Sequence, residues 1–289
     1  GWYIDYRAAA DPARPQGMNY APMIRLKQTG TDSYSTSPSG QALEDAILAN
    51  AGQETTWYVG NEPDRTKWQD DIMPDVYAKA FHELRAQIKS FDPSAKVIAG
   101  SIVQATEVRM QYLDLILASH EEQYHEPMEV DGWAIHGFIL REASCTVYPA
   151  SECWGAEIPP GVDETLGLDI GVQQNDDFGI FTENIVRMRQ WMADNGYRNQ
   201  PLFLSEYGVL MPAGRFTPDF TSARVNEFMS KSFNYALNDG VDEEIGYPQD
   251  GNRLVQQLSW YSTSDNVFFN GHLFDRDDEN KPSPMGENY

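Results

Sequence analysis

The chain has 289 residues, a normal length for one α/β barrel, and 41% of them are apolar with 12% aromatic, which is ample for a core. No apolar run approaches the ~18 residues of a membrane helix, and a formal net charge of −23 argues against nucleic acid or an anionic membrane as partner. The same charge disfavours a strongly anionic polysaccharide unless a local basic patch overrides it; acidity also simply keeps an exported protein soluble.

Residues 2–6 (Trp-Tyr-Ile-Asp-Tyr) read as a short strand and residues 20–26 as a second. A helix is predicted over 40–50, with Leu43, Ile47 and Leu48 on one face and Ser39 as its cap. The stretch 57–64, Trp-Tyr-Val-Gly-Asn-Glu-Pro-Asp, starts as a buried strand. Gly60 lets it turn sharply, and Pro63, lacking an N–H, ends the ladder near Glu62. A helix over 73–90 follows, with Val76, Ala80, Phe81, Leu84 and Ile88 in one stripe and Pro74 in its first turn.

Residues 96–101 are a short buried strand after the Asp92-Pro93 turn, and 108–119 a helix striped by Met110, Leu113, Ile116 and Leu117. A strand is predicted over 130–138. Residues 139–177 then run long, rich in Gly and Pro and without period, as functional loops do. The helix over 178–195 stops at Gly196, a natural left-handed terminator. Residues 201–208, Pro-Leu-Phe-Leu-Ser-Glu-Tyr-Gly, repeat the plan of a buried strand ending in a glutamate, Glu206. A helix at 221–238, a strand at 254–262 and an irregular hairpin at 266–284 complete the order. Strands alternating with helices predict a parallel sheet with helices outside it, and ligands of such sheets bind at the carboxyl ends of the strands.

Two glutamates on two strand ends are what glycosidic bond cleavage requires. Asn61-Glu62-Pro63 and Ser205-Glu206-Tyr207-Gly208 resemble the two signature motifs of the retaining glycoside hydrolases of clan A. The resemblance implies a (β/α)8 TIM barrel forming one catalytic domain over 1–289, with an acid/base Glu after strand four and a nucleophile Glu after strand seven. Counted from the Glu62 strand as four, the Glu206 strand is indeed seven. Only two strands precede Glu62, so strand one is expected to be missing. Residues 284–289 look like the opening of a final helix without a body. The opening Trp2-Tyr3-Ile4-Asp5-Tyr6 with Ala21-Pro22-Met23 further resembles the fungal-type endo-β-1,3-glucanases, although Ile24-Arg25 stands where a Trp is expected.

The resemblance implies Glu206 as nucleophile and Glu62 as acid/base, with Asn61 bonding the sugar 2-OH; a helix-capping carboxylate and an ordinary turn amide are the structural alternatives. His136 matches a substrate-binding His at the end of strand six, against a satisfied core histidine. Phe138 stands where the clan often has a Tyr that touches the nucleophile, and Tyr207 is the candidate for that contact. Trp260, on strand eight, matches the aromatic floor of the sugar site, against core packing. Arg25 ends strand three, where it could bond Glu206 and keep it ionised. Trp154, in the long loop, is a candidate sugar platform, and that loop is expected to wall one side of the cleft.

The function expected is retaining hydrolysis of β-linked polysaccharide or oligosaccharide, of endo-glucanase or mannanase type, without a cofactor. The alternatives are a carbohydrate-binding barrel that has lost turnover and a phosphate-binding barrel enzyme; Met211-Pro212-Ala213-Gly214 and Ser262-Thr263-Ser264 make a poor phosphate site. Five scattered histidines offer no paired metal-ligand spacing, and the acidic stretch 275–279 reads as a solvated turn. Cys145 and Cys153 are expected to pair if the protein is secreted, as the reading implies, and to be free thiols in a cytosolic chain. The chain opens at Gly1 with no signal sequence, so any export signal is expected to have been removed or never to have been part of this sequence.

Overall fold

The computed structural model describes residues 1–144, 154–211, 220–264, 271–275, 277–278 and 281–289. Cys145 and Cys153, with the pairing expected of them, lie outside the described residues, as do parts of the 211–214 and 266–284 stretches. The chain divides into two compact units. The first comprises Gly1–Val103, Glu107–Ala134 and Glu157–Thr165, and the second Gln104–Thr106, Ile135–Ala156 and Leu166–Tyr289.

In the first unit the strands are β1 (Trp2–Asp5), β2 (Asn19–Gly30), β3 (Ser33–Ser37), β4 (Thr56–Val59) and β5 (Lys96–Ile102), and the helices are α1 (Gln41–Ala49), α2 (Pro74–Phe91) and α3 (Glu107–Tyr124). β1 pairs with β2, β2 with β4, and β4 with β5, all parallel. Trp57, Tyr58 and Val59 of β4 and Val97, Ile98 and Ala99 of β5 are buried, as a strand covered on both faces requires. The α2 stripe of Val76, Ala80, Phe81, Leu84 and Ile88 is buried in full, and Pro74 occupies the first turn.

Two details differ from expectation. The second strand does not stop at Leu26. After pairing with β4 at Met23 and Ile24 it continues as an antiparallel hairpin with β3, beginning at Arg25 opposite Ser37. Exposure alternates along β3 and it carries no apolar stripe, so a reading based on core periodicity passes over it. Helix α1 is capped by Gly40 rather than Ser39, and Leu48 is 53% exposed; its buried face is Leu43, Ala46 and Ile47.

β6 (Gly132–His136) gives its first residues to the first unit and its last two to the second. The second unit then holds α4 (Phe178–Asp194), β7 (Leu202–Tyr207), α5 (Ser222–Asn234), β8 (Gln257–Trp260) and the one-turn α6 (Pro284–Asn288). Asp177 caps α4 by accepting from the N–H groups of Gly179 and Ile180, and Gly196 follows the helix with φ 83°. Helix α5 ends earlier than predicted, running into a π turn over Tyr235–Asp239. The last strand starts at Gln257 because Leu254 and Val255, though buried, follow a turn at Arg253 rather than the ladder.

The sheet order is β1-β2-β4-β5-β6-β7-β8, with β3 attached to β2 off that path. This is the α/β TIM-barrel type of fold, with seven successive strands among the described residues, two of which precede the Glu62 strand, in line with the count from sequence. No helix among the described residues is long and apolar enough to cross a membrane.

Candidate active site

In the first unit, β4 hands over at Gly60 to a turn that the neighbouring chain holds tightly. The Gly60 N–H still donates to Ile24 O at 2.8 Å, but its φ of 84° puts the backbone in the left-handed region. A Cβ there would sit 3.1 Å from the Tyr77 ring. The Tyr77 hydroxyl donates to Val59 O and accepts from Gly100 N–H, both at 2.9 Å, and so latches the ends of β4 and β5 together. Burial pushes the Tyr77 phenol well above its ordinary range.

Asn61 N–H then donates to Asp70 Oδ2 at 2.7 Å, and the Asn61 side-chain amide donates to Gln69 Oε1 at 3.1 Å. Glu62 has φ 45°, a left-handed conformation uncommon for a side-chain-bearing residue, and its N–H donates to Ser101 O at 3.0 Å. The residue is 2% exposed, and its Oε2 accepts from Arg65 Nη1 at 2.9 Å. Asp64, two residues on, is fully buried with Arg109 of α3, which donates from Nη1 to both Asp64 Oδ2 and Asp64 O and from Nη2 to Glu157 O. Desolvation pushes the Asp64 carboxyl up, against the pull of Arg109.

Arg25, expected to bond Glu206, gives its Nε to Asp70 Oδ1 at 2.6 Å and its Nη2 to Gln69 at 2.9 Å. Since Asp70 and Gln69 in turn hold Asn61, the described role of Arg25 is to brace the Asn61–Glu62 turn. Burial raises the Asp70 carboxyl, opposed by Arg25 and by the N–H groups of Asn61 and Leu26.

In the second unit, Glu206 lies near the end of β7, 7% exposed, and the Gly137 N–H donates to its carbonyl at 2.7 Å. His136, at the end of β6 and fully buried, brings Nε2 to 3.4 Å from Glu206 Oε1. A proton on that nitrogen would orient the carboxylate and, on a charged ring, favour its ionised form. Phe138 stands edge-on to the His136 ring at 5.8 Å, and Tyr261 edge-on to Phe138 at 6.0 Å.

Successive side chains of a strand alternate between faces, and this corrects two expectations. Tyr207 is fully buried with its ring against Phe181 of α4 and Phe233 of α5, and its hydroxyl accepts from Ser232 of α5 at 3.3 Å. It therefore faces the helices, opposite to Glu206, and does not supply the contact expected of it. Trp260 pairs with Tyr207 in register and shares that face; it is 7% exposed, and its indole N–H donates to Gly271 O at 2.7 Å. The next residue, Tyr261, lies past the end of β8 and is half-buried.

The long loop is tied down from within the second unit by Glu142, which accepts from Thr106 and from Leu168 N–H, and by Asn175, which donates to Ile139 O and accepts from Leu210 N–H. Trp154 carries the Arg141 guanidinium over its ring at 5.2 Å, so one ring face is covered by a cation. Arg65 was missed altogether. The signal was present in Glu62-Pro63-Asp64-Arg65, where a turn with Pro second brings the first and fourth residues together. No group of three or more His, Cys, Asp or Glu that could hold a metal ion occurs among the described residues.

No family model matches the chain, and no curated protein matches it in sequence. Solved structures do match in fold. A GH128 (subgroup II) endo-β-1,3-glucanase from Pseudomonas viridiflava aligns with a TM-score of 0.60 at 14% identity, over 100% of this chain and 88% of its own. A GH128 (subgroup I) endo-β-1,3-glucanase from Amycolatopsis mediterranei, in complex with laminaritriose and laminaribiose, aligns with a TM-score of 0.59 at 18% identity over the same shares. A GH128 (subgroup VII) oligosaccharide-binding protein from Cryptococcus neoformans aligns with a TM-score of 0.53 at 16% identity, over 100% of this chain and 85% of its own. The likeness is one of fold: the chain has the TIM-barrel type of fold seen in these endo-β-1,3-glucanases and in this oligosaccharide-binding protein.

Proposed function

We propose that this chain is a retaining glycoside hydrolase that cleaves β-1,3-glucan or a related β-linked polysaccharide internally, with Glu206 as nucleophile and Glu62 as acid/base. The observation that carries the reading is the approach of His136 to Glu206 at the ends of β6 and β7, in a chain whose other strand-end glutamate, Glu62, follows β4. The likeness in fold to endo-β-1,3-glucanases supports the substrate class.

In the first step the Glu206 carboxylate attacks the anomeric carbon while Glu62 passes its proton to the departing glycosidic oxygen, leaving a glycosyl ester on Glu206. In the second, Glu62, now a carboxylate, takes a proton from water as that water displaces the ester, restoring both groups. His136 holds Glu206, and the Asn61 amide is available to the sugar 2-OH once the Asp70 and Gln69 bonds have fixed its backbone and side chain. Arg25 serves by bracing Asp70, Tyr261 is the ring we assign to the sugar in place of Trp260, and Trp154 offers a further platform. Such a substrate lies outside the cell, which fits a secreted protein.

The test is product release from laminarin, mannan, xylan and cellulosic oligosaccharides, with the anomer followed by proton NMR. Retention, loss of turnover in Glu206→Ala, and formation of an α-glycosyl azide when azide and an activated aryl β-glycoside are supplied to that variant are the expected results. Net inversion would remove Glu206 as nucleophile. Saturable binding of laminari-oligosaccharides without turnover would instead favour the second reading, an oligosaccharide-binding barrel, for which the likeness to the Cryptococcus neoformans protein speaks.

A further inference from the structure

An acid catalyst must carry its proton into the reaction, yet Glu62 rests against a guanidinium. Arg65 Nη1 bonds Glu62 Oε2 at 2.9 Å, with the two side chains only 17% and 3% exposed. The pairing is built into the backbone, because Arg65 N–H donates to Glu62 O at 3.0 Å and closes the turn that puts the two side chains on one side.

The other two arginines of this region behave differently. Arg109 holds Asp64 and the carbonyls of Asp64 and Glu157, and Arg25 holds Asp70 and Gln69. Arg65 has no such structural duties: its Nε is buried without a partner among the described residues, and its side chain bonds Glu62 alone. An arginine that gives up a buried donor to keep one bond to one carboxylate acts on that carboxylate.

We propose that Arg65 is a positioning residue that sets the proton affinity of Glu62, holding it lower than an isolated buried carboxyl would have, so that it can release its proton in the first step and serve as base in the second. This rests on the assignment of Glu62 as acid/base. Among the described residues Asp64 is a charged neighbour of Glu62, and it has Arg109 as its own partner. From β5 the group in contact is the neutral Ser101 carbonyl. The sign follows. Removing the Arg65 charge raises the proton affinity of Glu62, so the basic limb of the activity profile, which reports loss of the acid's proton, moves to higher pH.

The experiment uses laminarihexaose as probe and compares the native chain with Arg65→Gln, Arg65→Lys and Glu62→Gln. In Arg65→Gln the basic limb of kcat/KM moves up by about one pH unit or more, and Arg65→Lys returns it close to the native position. In parallel the side-chain carboxyl carbons of 13C-glutamate-labelled protein are titrated by NMR, the Glu62 signal being assigned by its disappearance in Glu62→Gln. That signal titrates higher in Arg65→Gln by the same interval. An unchanged Glu62 titration in a folded Arg65→Gln protein overturns the proposal, even if kcat has dropped. If Glu62→Gln retains full hydrolysis the assignment of Glu62 as acid/base fails, while the titration still decides whether Arg65 governs Glu62.

Discussion

Replacing Arg109 by methionine would remove a cation that α3 inserts beneath the Glu62 turn while keeping most of its volume. The described bonds that go include those to Asp64 Oδ2, to Asp64 O at 3.0 Å and to Glu157 O at 2.8 Å. What remains is a carboxylate with no exposure, whose other described bonds come from a single Val103 N–H at 3.2 Å to each oxygen. Breaking one side of a buried ion pair costs about 3–5 kcal/mol, because the surviving charge stays desolvated. That is a large share of the roughly 5–15 kcal/mol that hold a typical fold together. At a rate of about 2–4 °C per kcal/mol for a chain of this size, thermal unfolding should come down by ~10 °C. The informative comparison is the double variant Arg109→Met with Asp64→Leu, in which no charge is stranded and most of the stability should return. Differential scanning calorimetry on the four proteins of the cycle gives the coupling directly. A loss under ~1 kcal/mol for Arg109→Met, or a double variant no better than the sum of the singles, would refute the idea that Asp64 depends on this cation. Activity adds a second reading. A double variant restored in stability but still impaired in turnover would show that the pair also fixes the backbone from Glu62 to Asp64.

Two further outcomes are expected. Tyr77→Phe deletes the hydroxyl bonded to Val59 O and Gly100 N–H, leaving two buried backbone groups unmet, and should cost about 2–4 kcal/mol in urea denaturation; a cost below ~0.5 kcal/mol would mean that water or a backbone shift replaces the latch. His120, 2% exposed, has its proton affinity lowered chiefly by burial, and its Nε2 sits 3.1 Å from His82 Nδ1 while Nδ1 faces Glu126 O. A base depressed in the folded state takes up its proton more readily when unfolded, so this contribution is complete above pH ~6.5 and is lost as pH falls below it. The difference in stability between pH 7.5 and 5.5 should therefore shrink in His120→Asn, and an unchanged difference would place the acid sensitivity elsewhere.

How much of this could be read from the sequence depends on what makes each feature. Strands β4, β5 and β7 and helices α2 and α4 were legible because each buries a continuous apolar run or stripe, and burial is what periodicity reports. The β3 hairpin was not, since it is held by its own ladder and buries little. Tyr207 and Trp260 show a different difficulty. On a strand, a one-residue doubt about phase turns a ring from one face to the other, and composition cannot resolve it. Asp70 and Arg109 were invisible for a third reason: they meet the Glu62 turn from nine residues and from another helix away, and nothing local marks them.

The turn from Asn61 to Asp70 also bears on why a neutral ligand is proposed for so acidic a chain. Three buried carboxylates fall within it or at its end, Glu62, Asp64 and Asp70, and each has its own arginine, respectively Arg65, Arg109 and Arg25. The formal charge of −23 is therefore carried elsewhere, and this turn is locally balanced. The three arginines are not equivalent in duty. Arg25 and Arg109 spend several donors each on backbone and amide groups, as braces do, whereas Arg65 bonds a single carboxylate and leaves a buried donor unused. Glu206, among its described contacts, meets His136. A fixed cation suits a carboxylate that must cycle through proton loss and gain without drifting high in a dry site. The fixed charge of Arg65 beside Glu62 thus matches the acid/base role proposed for that residue.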